Sequence, residues 1–372
     1  MTSTPQLVFR HQQQWHLGTQ VKWQQWPLAK NTLPQLITQA KTWQKHAPQA
    51  LIVGAISYDQ AALHHGLPHR GGSAPGALLG LVEAQHWHIS TSLPASFEPF
   101  QAAEHFAPHL SKAAFIAKLD ALIAQLGEQQ QANLAQAFSA PYSGSTWTAW
   151  QTLMAQHSAP HACYLEHPDI SLLSASPELL LQANQQQLIA EPIKGSRPRG
   201  KTVTEDQDLA EQLLHSEKDL AENRMITALQ MEELTPLCVP GSVVVQKDCE
   251  LRRYSNVQHL VSTVVGTPLP HQHPLEALIA CMPGASITGI PKPWAMQAIA
   301  ELEDEPRGFY CGSFFSLHPT GELTANVLIR TIQAQQQRLL CHGGGGITAG
   351  SNSAEEYEES CFKVAPLFSV WH

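Results

Sequence analysis

Residues Ala162 to Ile193 read ACYLEHPDISLLSASPELLLQANQQQLIAEPI. Four short apolar runs, ACYL, ISLLSAS, ELLLQA and QLIAEPI, are separated by polar pairs. Runs of this length, broken by Pro, Asp and Asn, predict strands arranged as a meander. The same pattern recurs on both sides. LIVGAISY at Leu51 predicts a buried strand, and GGSAPGALLG at Gly71 predicts a turn that opens another. QQQANLAQAFSA, SVVVQ, VQHLVSTVVG, CGSFFSL, ANVLIRTIQA and RLLCH predict further strands. Helical periodicity marks FIAKLDALIAQL, TWTAWQTLMAQ, one long stretch from Asp206 to Met231, PKPWAMQAIAELED and SAEEYEESCFKVAPLF. The balance predicts an α/β protein of large sheets with helices outside.

Composition narrows the function classes. The chain has 372 residues, enough for a large core or two interlocked lobes. Apolar residues make up 43%, which excludes a largely disordered chain. A net charge of -9 with 22 Lys and Arg argues against nucleic-acid and acidic-membrane partners. The local basic cluster Lys194, Arg197 and Arg199 suits a small anion. No signal peptide is read at the start, and no apolar run of membrane-spanning length occurs. Seven scattered cysteines without a CxxC pair read as reduced thiols, so a cytoplasmic location is expected.

Three features can carry chemistry. Asp219 with Glu222, and Glu356 with Glu359, are each spaced to share a helix face. Such pairs are either solvated faces or, if the helices meet, oxygen ligands for a hard divalent cation. The runs HGGGGITAGS (from His342) and MPGASITGIPKP (from Met282) are either tight turns or loops that offer N–H donors to an anion. Lys194, in EPIKGSRPRG, is a loop charge, an anion clamp or a nucleophile. A lysine becomes nucleophilic when burial or neighbouring cations remove its proton, and Arg197 and Arg199 would act in that sense.

In order along the chain, VGAISYD, GEQQQANLAQAF, SASPELLL, EPIKGSRPRG, SEKDLAENRM, CVPGSV, VQHLVSTVVG, MPGASITGIPKPWAMQAIAELE, RGFYCGSFF, IRTI, GGGGITAGS and YEESCFK resemble the chorismate-utilising enzymes. The resemblance spans about residues 50 to 370 and implies a two-lobed α/β sandwich of mixed and antiparallel sheets with outer helices. It divides the chain into an N-terminal portion, 1–110, partly intertwined with a chorismate-binding catalytic core, 111–372. It implies Mg2+ as cofactor, with Glu222 and Glu359 as direct ligands and Asp219 and Glu356 behind them or bridged by water. Tyr310 and Arg330, helped by backbone at Gly344, Gly345 and Gly346, would grip the enolpyruvyl carboxylate. Lys363 would lie near the metal-bound carboxylate, Ser196 near the departing oxygen and His259 beside the ring.

Within the family, Lys194 resembles the lysine of the aminodeoxychorismate synthase component I branch, where other branches carry alanine. Gln131 stands where water-using members have a general-base lysine, and glutamine cannot abstract a proton. Glu178 resembles the general acid for the leaving C4 hydroxyl. The resemblance therefore implies conversion of chorismate and ammonia to 4-amino-4-deoxychorismate. A separate glutamine amidotransferase subunit would supply the ammonia. Anthranilate synthase component I is the alternative. The chain departs from the family at Leu229 to Leu237, LQMEELTPL, where an Arg-Asn-Asp cluster is usual. It also lacks the N-terminal segment that binds tryptophan in many members, so feedback by tryptophan is not expected.

Overall fold

The four runs quoted above are strands, but they do not form one meander. Cys163–His167 pairs with Ile170–Ser174 in one sheet, whereas Leu179–Ala183 pairs with Leu188–Ala190 in another. The chain changes sheets between Ser174 and Leu179. A backbone leaving one ladder needs other hydrogen-bond partners. The Ser176 hydroxyl supplies them, donating to the Val327 carbonyl (2.6 Å) and accepting from the Glu178 N–H (3.3 Å). ANVLIRTIQA makes the reverse crossing. It divides into Leu323–Asn326 in the second sheet and Thr331–Gln335 in the first. The two crossings bond to each other, Val327 N–H to the Glu178 carbonyl at 3.1 Å and Ala175 N–H to the Arg330 carbonyl at 3.0 Å.

The computed structural model describes residues 4–371, apart from 97, 104, 105, 158, 255 and 256. Among them one sheet has 11 strands and the other 10. Residues 1–110 serve both. Leu7–His11, Gln14–Gly18 and Trp87–Ser90 join the first sheet; Lys22–Trp26, Leu51–Ile56 and Ala77–Val82 join the second. The sheets pack through Leu7, Phe9, Val53, Ala55, Leu78, Leu165, Leu172 and Phe314, all buried. Helices cover the outer faces. Thr32–His46, Pro274–Ala280 and Lys292–Leu302 share a core with the second sheet, and Thr146–Gln156 and Ser353–Phe368 with the first. The expected α/β sandwich is the observed one.

The stretch from Asp206 to Met231 is two helices, Val203–Leu214 and Glu217–Leu234. Ser216 breaks it: its side chain accepts from the Asp219 N–H and caps the second helix. The glycine run at 343–346 is likewise not a loop. It lies inside the strand Arg338–Thr348, paired along its length with Gln131–Gly144. No described helix is long and apolar enough to cross a membrane. All seven cysteines are free, and six are buried.

One buried ion pair joins the layers. The Arg307 side chain is 2% exposed and that of Glu303 4%. Arg307 forks onto Glu303 at 2.9 and 2.6 Å and donates to the Asn133 and Ile287 carbonyls at 2.9 and 3.0 Å. Glu303 accepts from the Ala135 N–H at 2.9 Å. The guanidinium also lies 4.6 Å from the centre of the Tyr58 ring. Removing one partner of such a pair strands a charge in the interior. Arg307→Met should therefore cost about 3–5 kcal/mol, read as a lowered urea midpoint.

His11, His16 and His318 form a second junction, with ring centroids 5.1 to 5.6 Å apart between the N-terminal hairpin and the second sheet. Glu322 and Thr324 face His11, and Trp87 stacks on His16. Burial first, then the other histidines, push His16 down to about 4. Its ring is neutral in the fold, so its contribution is complete above the ordinary value of 6.5 and is lost as pH falls toward 4. The loss from His16 should reach about 3 kcal/mol at pH 4. Urea midpoints measured from pH 7 to 4 should fall less steeply in His16→Leu than in the parent.

Candidate active site

Lys194 lies on the edge strand Ile193–Pro198, not in a loop. That strand pairs with Val257–Gly266, and its register slips between Ile193 and Ser196. Gly195 makes the slip possible. Its φ is +87°, and a methyl there would come 3.1 Å from Asp219 Cβ. The bulge turns the Lys194 amine toward the first sheet. A methyl on Gly346 would lie 2.7 Å from Lys194 Nζ, 2.2 Å from Gln131 Nε2 and 3.0 Å from Asn133 Oδ1. These three side chains therefore converge over Gly346, and glycine there leaves the space open.

Asn223 fixes the lysine backbone. Its amide donates to the Lys194 carbonyl (3.2 Å) and the Leu260 carbonyl (3.0 Å), and its oxygen accepts from Ser262 (2.6 Å). It follows Glu222 in the helix Glu217–Leu234, so one residue ties the acidic helix to the lysine strand. Burial lowers the Lys194 amine below its ordinary value. Glu222, Glu178 and Glu359 oppose that shift, and the Lys363 charge reinforces it. The expected helpers, Arg197 and Arg199, are engaged elsewhere. Arg197 binds Asp219 at 2.9 Å, and Arg199 binds Asp206 at 2.7 and 2.8 Å.

Glu178 occupies the first sheet crossing. It is buried, and burial pushes its carboxyl up to about 7. Hydrogen bonds from the Ser286 hydroxyl and the Ile193 backbone, and the Lys194 charge, act the other way. A carboxyl of this kind holds its proton near neutrality and can release it to a leaving oxygen.

Glu356 and Glu359 lie over the neighbouring glycine. A methyl on Gly345 would lie 3.2 Å from Glu356 Oε2, 3.4 Å from Glu359 Oε1 and 3.5 Å from Lys363 Nζ. Lys363 binds Glu359 at 2.5 Å and the Gly344 carbonyl at 2.9 Å. Ser351 donates to Glu356 at 2.8 Å, and Lys218 lies 4.0 Å from Glu222. Asp219 is turned to Arg197. Among the described residues, no group of three His, Cys, Asp or Glu side chains is set to hold a metal ion by itself. Gly344 allows the strands to approach, since a methyl there would sit 2.1 Å from the Leu134 carbonyl.

The remaining candidates line the same region. Arg330, at φ +52° in the second crossing, donates to the Lys363 carbonyl at 2.8 Å, and its charge is felt by Tyr310, Glu359 and His259. Tyr310 is buried and stacks on His342, with centroids 4.9 Å apart. Ser196 and His259 are joined at 2.7 Å, and burial pushes His259 down to about 4. Gln131 is 1% exposed, and neither polar atom of its side chain has a hydrogen-bond partner. Such a group is a natural contact for a small polar ligand. Sequence reasoning missed Asn223, Asn133 and Ser286. Asn223 had one readable signal, a polar residue on the buried stripe Ile226, Thr227, Gln230 and Leu234.

Comparison with known proteins agrees with this arrangement. The chorismate binding enzyme family matches residues 4–369. Aminodeoxychorismate synthase component 1 of Salmonella typhimurium is 36% identical over 285 residues, covering 76% of this chain. The match spans 63% of that relative's length. Anthranilate synthase component 1 of a Synechocystis strain is 36% identical over 254 residues, 66% of this chain and 50% of the relative. Anthranilate synthase component I from Streptococcus pneumoniae superposes with a TM-score of 0.80 at 23% identity, covering 99% of this chain and 93% of that one. The sandwich is thus the fold of these enzymes, and the chain belongs to the chorismate binding enzyme family.

Proposed function

We propose that this chain aminates chorismate at C4, giving 4-amino-4-deoxychorismate, with Lys194 as a transient covalent nucleophile. The observation that carries the reading is the meeting of the buried Lys194 amine and the Gln131 amide over the open floor at Gly346, with the buried Glu178 carboxyl in electrostatic reach of the lysine. The relatives named aminodeoxychorismate synthase component 1 support it.

In the first step the neutral Lys194 amine forms a bond to C2. Both ring double bonds shift, C1=C2 to C1=C6 and C5=C6 to C4=C5, and the C4–O bond breaks; the second step returns both double bonds. Glu178 gives its proton to the departing oxygen, which leaves as water, and the new ammonium gives up a proton. In the second step ammonia forms a bond to C4 and the C2–N bond to Lys194 breaks, with the proton on the incoming nitrogen transferred to the departing amine. Two moderate barriers replace one large one. Gln131 cannot deprotonate water, which disfavours hydroxylation, whereas its unpartnered amide can hold ammonia. Arg330 and Tyr310 would hold the enolpyruvyl carboxylate. The ammonia would come from a glutamine amidotransferase subunit.

The acidic residues suit a hard cation with oxygen ligands, and Mg2+ keeps several waters beside a few carboxylates. Glu222 and Glu359 would hold it directly, with Glu356 and Asp219 behind them or bridged by water. When bound, it would neutralise the ring carboxylate of the substrate. Lys363 would then exchange Glu359 for that carboxylate.

Two measurements test the reading. With chorismate, Mg2+ and ammonium, the parent should give a product of aminodeoxychorismate mass that retains the enolpyruvyl group. Lys194→Ala should lose that product by about 10³-fold or more while keeping its circular dichroism spectrum. An unchanged rate rules out the covalent route, and anthranilate as the parent's product favours the other branch. Chelation of Mg2+, or Glu359→Ala, should remove most of the turnover; activity that persists without the ion would discard the metal assignment.

A further inference from the structure

The run from His342 to Gly346 gives its glycines to the floor of the site, but its first residue takes no part in the steps proposed there. In the strand Arg338–Thr348 successive residues alternate between faces. Methyls on Gly343 and Gly345 would meet the last helix, at the Ser360 carbonyl and Glu356, whereas one on Gly346 would meet Lys194. His342 therefore shares the face of Gly346, between the sheets. It is 5% exposed. Its ring lies flat on that of Tyr310, with centroids 4.9 Å apart and planes within 11°.

Tyr310 sits in the turn that begins at Arg307. Hydrogen bonds fix the backbone of that turn. The Gly308 N–H donates to Asp59 (2.9 Å), the Phe309 N–H to the Gln333 side chain (3.0 Å) and the Tyr310 N–H to the Arg307 carbonyl (3.0 Å). None of these sets the direction of the phenol ring. Its flat faces do: His342 stacks on the ring, and the Arg307 guanidinium lies 5.7 Å from its centre. A parallel neighbour blocks the side-chain rotation that would swing the hydroxyl aside. His342 is also uncharged, since burial first and then the Arg307 charge push it down to about 3. It acts as a flat plate and adds no second cation beside Arg330.

We propose that His342 is a positioning residue for the substrate: by stacking on Tyr310 it holds the phenol hydroxyl where the enolpyruvyl carboxylate is gripped. This rests on the reading of Tyr310 given above. That carboxylate takes no part in bond making, so the hydroxyl binds ground state and transition state alike. Its misplacement therefore weakens binding and spares turnover.

The test is steady-state kinetics of the full chain at varied chorismate with saturating Mg2+ and ammonium. Chorismate consumption is followed, which reads KM whichever product forms. His342→Ala should raise the KM for chorismate about tenfold, the order of one hydrogen bond to a charged group, and leave kcat within about twofold. His342→Phe, also flat and uncharged, should restore the parent KM. Tyr310→Phe, which lacks the hydroxyl, should raise KM by a similar factor, and adding His342→Ala to it should change KM by less than about twofold. An unchanged KM in His342→Ala, a loss carried by kcat, a phenylalanine variant no better than alanine, or the same tenfold factor in the Tyr310→Phe background would each overturn the inference. Should His342→Ala not fold by circular dichroism, His342→Gln is read by the same criteria. A Tyr310→Phe KM equal to that of the parent would overturn the reading of Tyr310 instead, and this inference with it.

Discussion

A guanidinium with almost no access to water holds the two halves of this molecule in register. Arg307 has one carboxylate, two carbonyls and the rings of Tyr58 and Tyr310 as neighbours, drawn from several parts of the chain. The arrangement satisfies most of its donors, which is the condition for burying such a charge. It also fixes the strand Gln131–Gly144 relative to the turn at Ser286. Gln131 and Asn133 at one side of the site, and Ser286 at the other, are therefore set by the same ion. The candidate site inherits its geometry from a contact made outside it.

The two sheet crossings explain why the site lies where it does. Glu178 and Arg330 are in the only segments, among those described, that pass between these central strands together, bonded to one another as they go. Residues in a crossing have left one ladder and not yet joined the next, so their side chains can turn into the space between the sheets. Lys194 reaches that space by another device, a bulge on an edge strand. Two crossings and one bulge thus bring an acid, a cation and an amine toward one region. The glycines at 344 to 346 keep it open from below.

Much of the fold was legible. Most strands from Leu51 onward, and the helices Lys112–Ile123, Thr146–Gln156, Lys292–Leu302 and Ser353–Phe368, followed from hydrophobic period; the strands before Leu51 and the helices Thr32–His46, Tyr58–His64 and Pro274–Ala280 were not read. A run such as ANVLIRTIQA reads as continuous, since nothing in its apolar pattern records that Val327 to Arg330 change partners. The long stretch to Met231 failed at Ser216, whose capping role needs the helix that it caps to be known. In the site, the two carboxylate pairs were marked by helical spacing and Lys194 by its basic cluster, and the family resemblance gave roles to them and to Glu178. Ser286 and Asn133 escaped because hydrogen bonds between distant segments leave no periodic mark. The environment of the lysine was also misjudged: the neighbouring arginines are spent on Asp219 and Asp206, and the cation that acts on it comes from the last helix.

The sheet order has a consequence for biosynthesis. Arg338–Thr348 lies between Gln131–Gly144 and Thr331–Gln335, and Leu7–His11 pairs with Cys163–His167. Strands made first must wait for strands made more than a hundred residues later. A nascent chain leaving the ribosome would carry open, apolar strand edges until nearly all of it had been translated. Such a polypeptide is a natural client for chaperones that shield hydrophobic edges during synthesis.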